Sequence, residues 1–288
     1  MVSTLVMIDG ELLPEDHAKV SVFDRAFLYG DSVFETIRTY DGLPFALDEH
    51  LVRLEKSAAQ VFIKLPVARE QLQGEVLEAV RAAGNRETYI RVMVTRGTAP
   101  LGLDPLSAEH PLRVVIVAPL PEVPQEFYEQ GIAVVTYRTQ RTAEATPAAT
   151  AKVGNYLVSV LALREARRAG AAEALIVDSG GFIVEGASSN VFIARGGRLV
   201  TPPDDAGILP GITRRLLLET AHAEGIPVDL EPLPLGELHA ADEIFISSTI
   251  RELLPVVRVD GAPIGSGSPG ALTLGLLAAF RTKFHNPD

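Results

Sequence analysis

The sequence predicts an α+β protein of two domains, and three observations carry that prediction. Strand-like runs in both halves close on one another through tight turns rich in Asp, Gly and Ser, the mark of hairpins rather than of repeated βαβ units. Helical stretches are interleaved with these hairpins in each half. Between the halves, residues 119–131 hold three prolines and three acidic residues with little periodicity. That segment sets a first domain at 1–118, a linker at 119–131 and a second domain at 132–288. With 288 residues, 47% of them hydrophobic, the chain is long enough to bury two ordinary cores.

The elements follow in order. Residues 6–14 predict a hairpin with Asp9-Gly10 at its turn, and 32–40 a strand closed by Asp41-Gly42. A helix follows with Asp48 as its N-cap and Leu47, Leu51, Leu54, Ala58 and Val61 on one stripe, which puts Arg53 beside that stripe; Pro66 ends the element. Leu72, Val76, Leu77 and Val80 predict a second helix that stops at Ala83-Gly84-Asn85. Strands at 88–95 and 112–118 flank a loop containing Gly97, Pro100, Gly102 and Pro105. The second domain opens with a strand at 132–137, and after Lys152 a helix runs to about Ala169 before Gly170. Two hairpins turn at 178–181 and 195–198, a helix runs from Ile212 to Glu224, and 243–248 predicts another strand.

Composition narrows the function. Cysteine is absent, which excludes a disulfide framework and a thiolate site and fits a cytoplasmic setting. The first ten residues lack the basic start of a signal peptide, and no apolar run reaches the length of a membrane span. A net charge of −11 argues against nucleic acid as a partner. The six histidines show no ligand spacing, so no metal is expected.

Five of the 26 basic residues are lysines, and one of them, Lys152, is the only basic residue between Arg141 and Arg164. It stands in a run of Ala, Thr, Val, Leu and Tyr. A lysine desolvated in such a setting becomes a nucleophile toward an aldehyde, work that arginine cannot do; the same placement also suits a lysine snorkelling from a helix start. An aldehyde cofactor such as pyridoxal phosphate needs an acid at its ring nitrogen, an anion site and a hydroxyl at its ring oxygen. Glu185 closes an apolar strand ahead of small residues. Gly211-Ile212-Thr213-Arg214 opens a helix, where free N–H groups favour an anion. Ser247-Ser248-Thr249 offers a second cradle, and Arg53 a charged fork. Each of these also has an ordinary structural explanation; their conjunction and order carry the assignment.

Arg53, Tyr89-Ile90-Arg91, Lys152-Val153-Gly154-Asn155-Tyr156, Glu185-Gly186-Ala187-Ser188-Ser189-Asn190, Leu209-Pro210-Gly211-Ile212-Thr213-Arg214 and Ser248-Thr249 together resemble the class IV aminotransferases, the fold-type IV pyridoxal-phosphate enzymes. The resemblance spans about Asp9 to Asp260. It implies a small N-terminal α/β domain, a larger β-rich C-terminal domain with helices, pyridoxal 5'-phosphate between them, and a homodimer. It further implies that Lys152 carries the cofactor, Glu185 holds the ring nitrogen protonated, Tyr156 bonds the ring oxygen, and Arg53, Ile212, Thr213, Ser248 and Thr249 serve the phosphate.

Three activities share these motifs. The D-amino-acid aminotransferases carry an arginine and a histidine where this chain has Leu101 and Leu103, which counts against that activity. Tyr89 and Arg91 match residues that branched-chain enzymes place near substrate carboxylates, and Tyr29, Phe34 and Tyr156 predict an apolar wall for an aliphatic side chain. Phe34-Glu35-Thr36-Ile37-Arg38 carries a threonine where those enzymes typically have glycine and where the aminodeoxychorismate lyases have a functional threonine. The expectation is a branched-chain L-amino acid and 2-oxoglutarate as substrates, with the lyase as the alternative, and a silent binding scaffold as the non-enzymatic one.

Overall fold

The computed structural model describes residues 3–139 and 150–285 and divides them into two compact units. The first unit comprises 1–122 together with Thr150–Tyr156, and the second the remainder.

The first unit is a six-stranded antiparallel sheet carrying helices on one face. Its strands are β1 (Leu5–Ile8), β2 (Glu11–Pro14), β3 (Ser32–Tyr40), β4 (Leu43–Pro44), β5 (Thr88–Thr95) and β6 (Arg113–Pro119), in the order β2-β1-β6-β5-β3-β4. The β1–β2 hairpin turns at Asp9 and Gly10, both at positive φ, as the Asp-Gly pair predicts. The helices are α1 (Arg25–Tyr29), α2 (Leu47–Gln60) and α3 (Arg69–Ala83). Leu51, Leu54 and Ala58 of α2 and Leu72, Val76 and Ala79 of α3 are buried against Val33, Ile37, Ile90, Val92 and Val94. The N-cap of α2 is Ala46, in the left-handed region, and not Asp48, which lies in the first turn where its charge favours the helix dipole.

Thr150–Tyr156 pairs with β3: Phe34 N–H donates to the Lys152 carbonyl at 3.0 Å and Gly154 N–H to the Ser32 carbonyl at 2.8 Å. A Cβ on Gly154 would collide with Ser32 Oγ, so any larger residue would have to displace that hydroxyl.

The second unit is built on a mixed sheet. Its strands are β7 (Ile132–Arg138), β8 (Glu173–Val177), β9 (Phe182–Gly186), β10 (Asn190–Arg195), β11 (Arg198–Thr201), β12 (Val228–Leu230), β13 (Leu233–Pro234), β14 (Glu243–Ser248), β15 (Glu252–Val259) and β16 (Ala262–Pro263). They lie in the order β12-β11-β10-β14-β15-β7-β8-β9-β13, with β16 on β15. The two predicted hairpins form as β8–β9 and β10–β11. The helices are α4 (Gln125–Glu129), α5 (Leu157–Arg168), α6 (Ile212–Ala223) and α7 (Ala271–His285). The segment expected to be an irregular linker thus contains the short helix α4, whose Tyr128 is buried. No helix among the described residues is long and apolar enough to cross a membrane.

Candidate active site

In the first unit, Lys152 is half-buried, and its Nζ donates to the Tyr156 hydroxyl at 3.2 Å. The ammonium also lies 4.7 Å from the centre of the Phe34 ring, and Phe34 meets Tyr156 edge to face at 5.1 Å. Its backbone N–H donates to Ser57 Oγ on α2 at 3.0 Å. Among the described residues no carboxylate pairs with Nζ. Aromatic faces and one hydroxyl surround the amine, a setting that holds it without consuming it as a structural cation.

The pairing of β3 with β5 gathers the predicted substrate residues. Thr36 stands opposite Arg91 and Arg38 opposite Tyr89, so these four and Phe34 share one face of the sheet. The helices cover the other face. The Arg91 guanidinium lies 3.8 Å from the centre of the Phe34 ring, so among the described residues the ring has Arg91 and Lys152 as cationic neighbours. Arg38 stacks on Tyr40 at 4.2 Å. Tyr29 makes different contacts: its hydroxyl accepts from Gly102 N–H at 3.2 Å and its ring lies under the Arg25 guanidinium. Arg25 in turn donates to the carbonyls of Gly102 and Leu103 and to Asp31, fixing the loop that carries Leu101 and Leu103.

Arg53 lies on the helix-covered face. Its Nε and Nη2 donate to the two oxygens of Glu35 at 2.7 and 2.6 Å, and His50 Nδ1 stands 2.7 Å from Glu35. Glu35 and His50 are fully buried. Burial raises the Glu35 pKa, but the Arg53 charge and the hydrogen bonds from Arg53 and His50 outweigh it and bring it to about 2. Burial drives the His50 pKa below its ordinary value, which keeps the ring neutral.

In the second unit, Glu185 is half-buried at the end of β9, and its Oε2 accepts from Leu209 N–H at 3.1 Å. Leu209 is also held by Asn190, whose Nδ2 donates to the Leu209 carbonyl at 3.0 Å. Gly211 precedes α6 where a Cβ would collide with Asn190 Oδ1. The Gly211 carbonyl takes the first intrahelical bond, from Arg215, so the N–H groups of Ile212, Thr213 and Arg214 lie free of the helix ladder. Thr213 is buried, and its Oγ1 has no protein partner among the described residues. An orphan hydroxyl at a helix N-terminus suits an anion. Ser248 Oγ accepts from Arg251, while the neighbouring Ser247 Oγ is buried without a partner among the described residues; Thr249 follows, half-buried, in the turn after β14.

Residues 32–259 match the family of amino-transferases class IV, and they include every residue of this arrangement except Arg25, Tyr29 and Asp31. The chain belongs to the class IV aminotransferases. The aminotransferase is 43% identical over 282 residues to a putative branched-chain-amino-acid aminotransferase of Methanocaldococcus jannaschii, covering 97% of each chain. It is 34% identical over 278 residues, 96% of each chain, to a D-alanine aminotransferase of Bacillus licheniformis. Among solved structures, it superposes on the branched-chain aminotransferase of Thermoproteus uzoniensis with norvaline at a TM-score of 0.87 and 33% identity, covering 96% of this chain and 93% of that one. The T.th. branched-chain amino acid aminotransferase complexed with N-(5'-phosphopyridoxyl)-L-glutamate gives 0.89 and 34%, over 97% and 93%.

Sequence reasoning about this aminotransferase missed Glu35 and His50 as the partners of Arg53, and Ser57 as the partner of Lys152. The signal for Glu35 was available. In the alternation Val33-Glu35-Ile37, a carboxylate occupies a core-facing position, and such a charge requires a buried partner.

Proposed function

We propose that this aminotransferase is a pyridoxal 5'-phosphate enzyme that moves an amino group between a branched-chain L-amino acid and 2-oxoglutarate by a ping-pong mechanism. The observation that carries the proposal is the sheet face on which the Phe34 ring has Arg91 at 3.8 Å and Lys152 at 4.7 Å from its centre. An aliphatic chain can lie on that ring, and a second carboxylate can reach the guanidinium at its side. The likeness to branched-chain enzymes, one of them solved with a phosphopyridoxyl-glutamate adduct, supports it.

The residues present fit the cofactor: among the described residues, no carboxylate holds the Lys152 amine, and the buried Thr213 hydroxyl has no protein partner. Pyridoxal phosphate, when bound, supplies an aldehyde that takes up the amino group and a ring that withdraws electrons from Cα. Lys152 would hold the aldehyde, and its amine, when free, would serve as the base that takes the substrate's Cα proton and as the acid that gives a proton back across the nitrogen to the cofactor's aldehyde carbon. Glu185 keeps the ring nitrogen protonated, and Tyr156 donates to the ring oxygen. The N–H groups of Ile212 and Thr213, the Thr213 hydroxyl, Ser248, Thr249 and the charge of Arg53 hold the phosphate. Tyr29, Thr36, Arg38 and Tyr89 shape the substrate side.

We place the enzyme as a homodimer on the exposed apolar face of α5, where Leu157, Val158 and Val160 are each more than half exposed. A panel of L and D amino donors against 2-oxoglutarate, run beside an aminodeoxychorismate lyase assay, tests the activity. Leucine, isoleucine and valine in the L form are expected to lead. Activity confined to D-alanine would give the chain the activity of its Bacillus licheniformis relative. Lyase turnover alone would give Thr36, which faces Arg91, the leading role.

A further inference from the structure

The carboxylate of Glu173 is fully buried in the second unit, and the function proposed above does not use it. Standing at the start of β8, it accepts from Ala174 N–H through Oε1 at 3.0 Å. Its Oε2 accepts from Arg251 Nη2 at 2.7 Å, from Ser188 Oγ at 3.0 Å and from Ser189 Oγ at 3.4 Å. Arg251 reaches further with the same guanidinium: Nε donates to Ser248 Oγ at 3.2 Å, and Nη2 to the Ser188 hydroxyl and carbonyl at 2.9 and 3.2 Å.

These contacts join two separate turns. Ser188 and Ser189 belong to the turn between β9 and β10 that follows Glu185, and Ser248 to Arg251 form the turn between β14 and β15 that carries Thr249. The first turn is tight, with Gly186 N–H donating to the Ser189 carbonyl at 2.7 Å and no room for a Cβ on Gly186. A buried carboxylate is costly unless every oxygen is satisfied, and here the donors come from both turns at once. Moving either turn would take donors away from the buried charge. A well-packed apolar pair could stabilise the fold equally well. What the ion pair adds is a fixed distance between the two turns.

We propose that Glu173 and Arg251 are positioning residues of the aminotransferase, locking the turns 186–190 and 248–251 together so that Glu185, Ser248 and Thr249 meet the cofactor in one geometry. The proposal rests on the function argued above. Neither residue takes part in the chemistry; both act through the turns they hold.

The test uses the full-length protein, freed of cofactor and titrated with pyridoxal phosphate. The double variant Glu173→Gln/Arg251→Met removes the pair without leaving a lone buried charge. It is expected to keep the wild-type circular dichroism and to raise the dissociation constant of pyridoxal phosphate about tenfold, the factor that 1.4 kcal/mol represents. Its amides at 186–190 and 248–251 should exchange hydrogen faster than those of the wild type, which a role in overall stability alone would not single out. Arg251→Lys keeps the charge beside Glu173 but loses the fork to Ser248, so an intermediate constant is expected, and this variant supplies the measurement if the double variant does not fold. Wild-type affinity and wild-type exchange in the variants would overturn the proposal while leaving the function intact. A wild-type protein that takes up no pyridoxal phosphate would instead overturn the function, and this proposal with it.

Discussion

Lys152 shows how far a single residue can be taken. Its isolation among apolar neighbours was legible, because the sequence uses arginine nearly everywhere else. Replacement by alanine should abolish turnover while the fold persists, since the side chain makes one hydrogen bond and two ring contacts; transamination surviving without added amine would contradict the assignment. Glu185→Gln should keep the cofactor bound and slow Cα proton removal, followed as single-turnover absorbance changes. That Glu35 needs a buried partner is legible in the alternation of β3, but which residues supply it is not, because nothing local says that α2 folds back over β3 and sets Arg53 and His50 against it. Its pKa gives a pH prediction. A carboxylate lowered from 4.5 to about 2 contributes stability that is complete above pH 4.5 and is lost as the pH falls toward 2. His50, buried neutral, acts in the same direction, its contribution being lost as the pH drops below 6.5. Urea denaturation of wild type and Glu35→Gln across this range checks the point: the variant should lose less stability than the wild type between pH 4.5 and 2.

At the scale of elements, the strands and helices with clean periodicity formed where the pattern put them, from β3 and β5 to α6. The alternation in β3 and β5 also determined which residues share a face, and one prediction depends on that pairing. Arg91→Ala should slow the half-reactions of glutamate and 2-oxoglutarate relative to leucine by about 2 kcal/mol, the value of a charge-assisted hydrogen bond. An unchanged ratio of glutamate to leucine rates would remove Arg91 from the substrate site. The last helix, α7, was not anticipated. Its buried residues Thr273, Leu276, Leu277 and Phe280 keep helical spacing, but further leucines and alanines on the other positions blur the stripe. Its start is set from a distance by Glu243, whose two oxygens accept from Leu272 N–H, Thr273 N–H and Thr273 Oγ1 at 2.7–3.0 Å. Glu243→Ala should cost about 1 kcal/mol of stability in urea, as the loss of a helix cap does.

Over the whole molecule, the sequence displays a proline-rich segment at 119–131 but puts 150–156 in the second domain, whereas the structure groups Thr150–Tyr156 with the first unit, and their return to β3 has no local signature. It depends on Gly154 fitting against Ser32, a contact between residues far apart in the chain. The proposed dimer is likewise invisible to periodicity, because an apolar face awaiting a partner looks like one awaiting a core. Val160→Arg on α5 should therefore shift the mass in solution from two chains to one, as measured by sedimentation. This class IV aminotransferase is proposed to carry pyridoxal phosphate on Lys152. The direct measurement is to load the protein with the cofactor, reduce it with borohydride, digest it and locate the modified peptide by mass. A phosphopyridoxyl group is expected on Lys152 alone; a label on Lys19, Lys56, Lys64 or Lys283, or no label at all, would contradict the assignment.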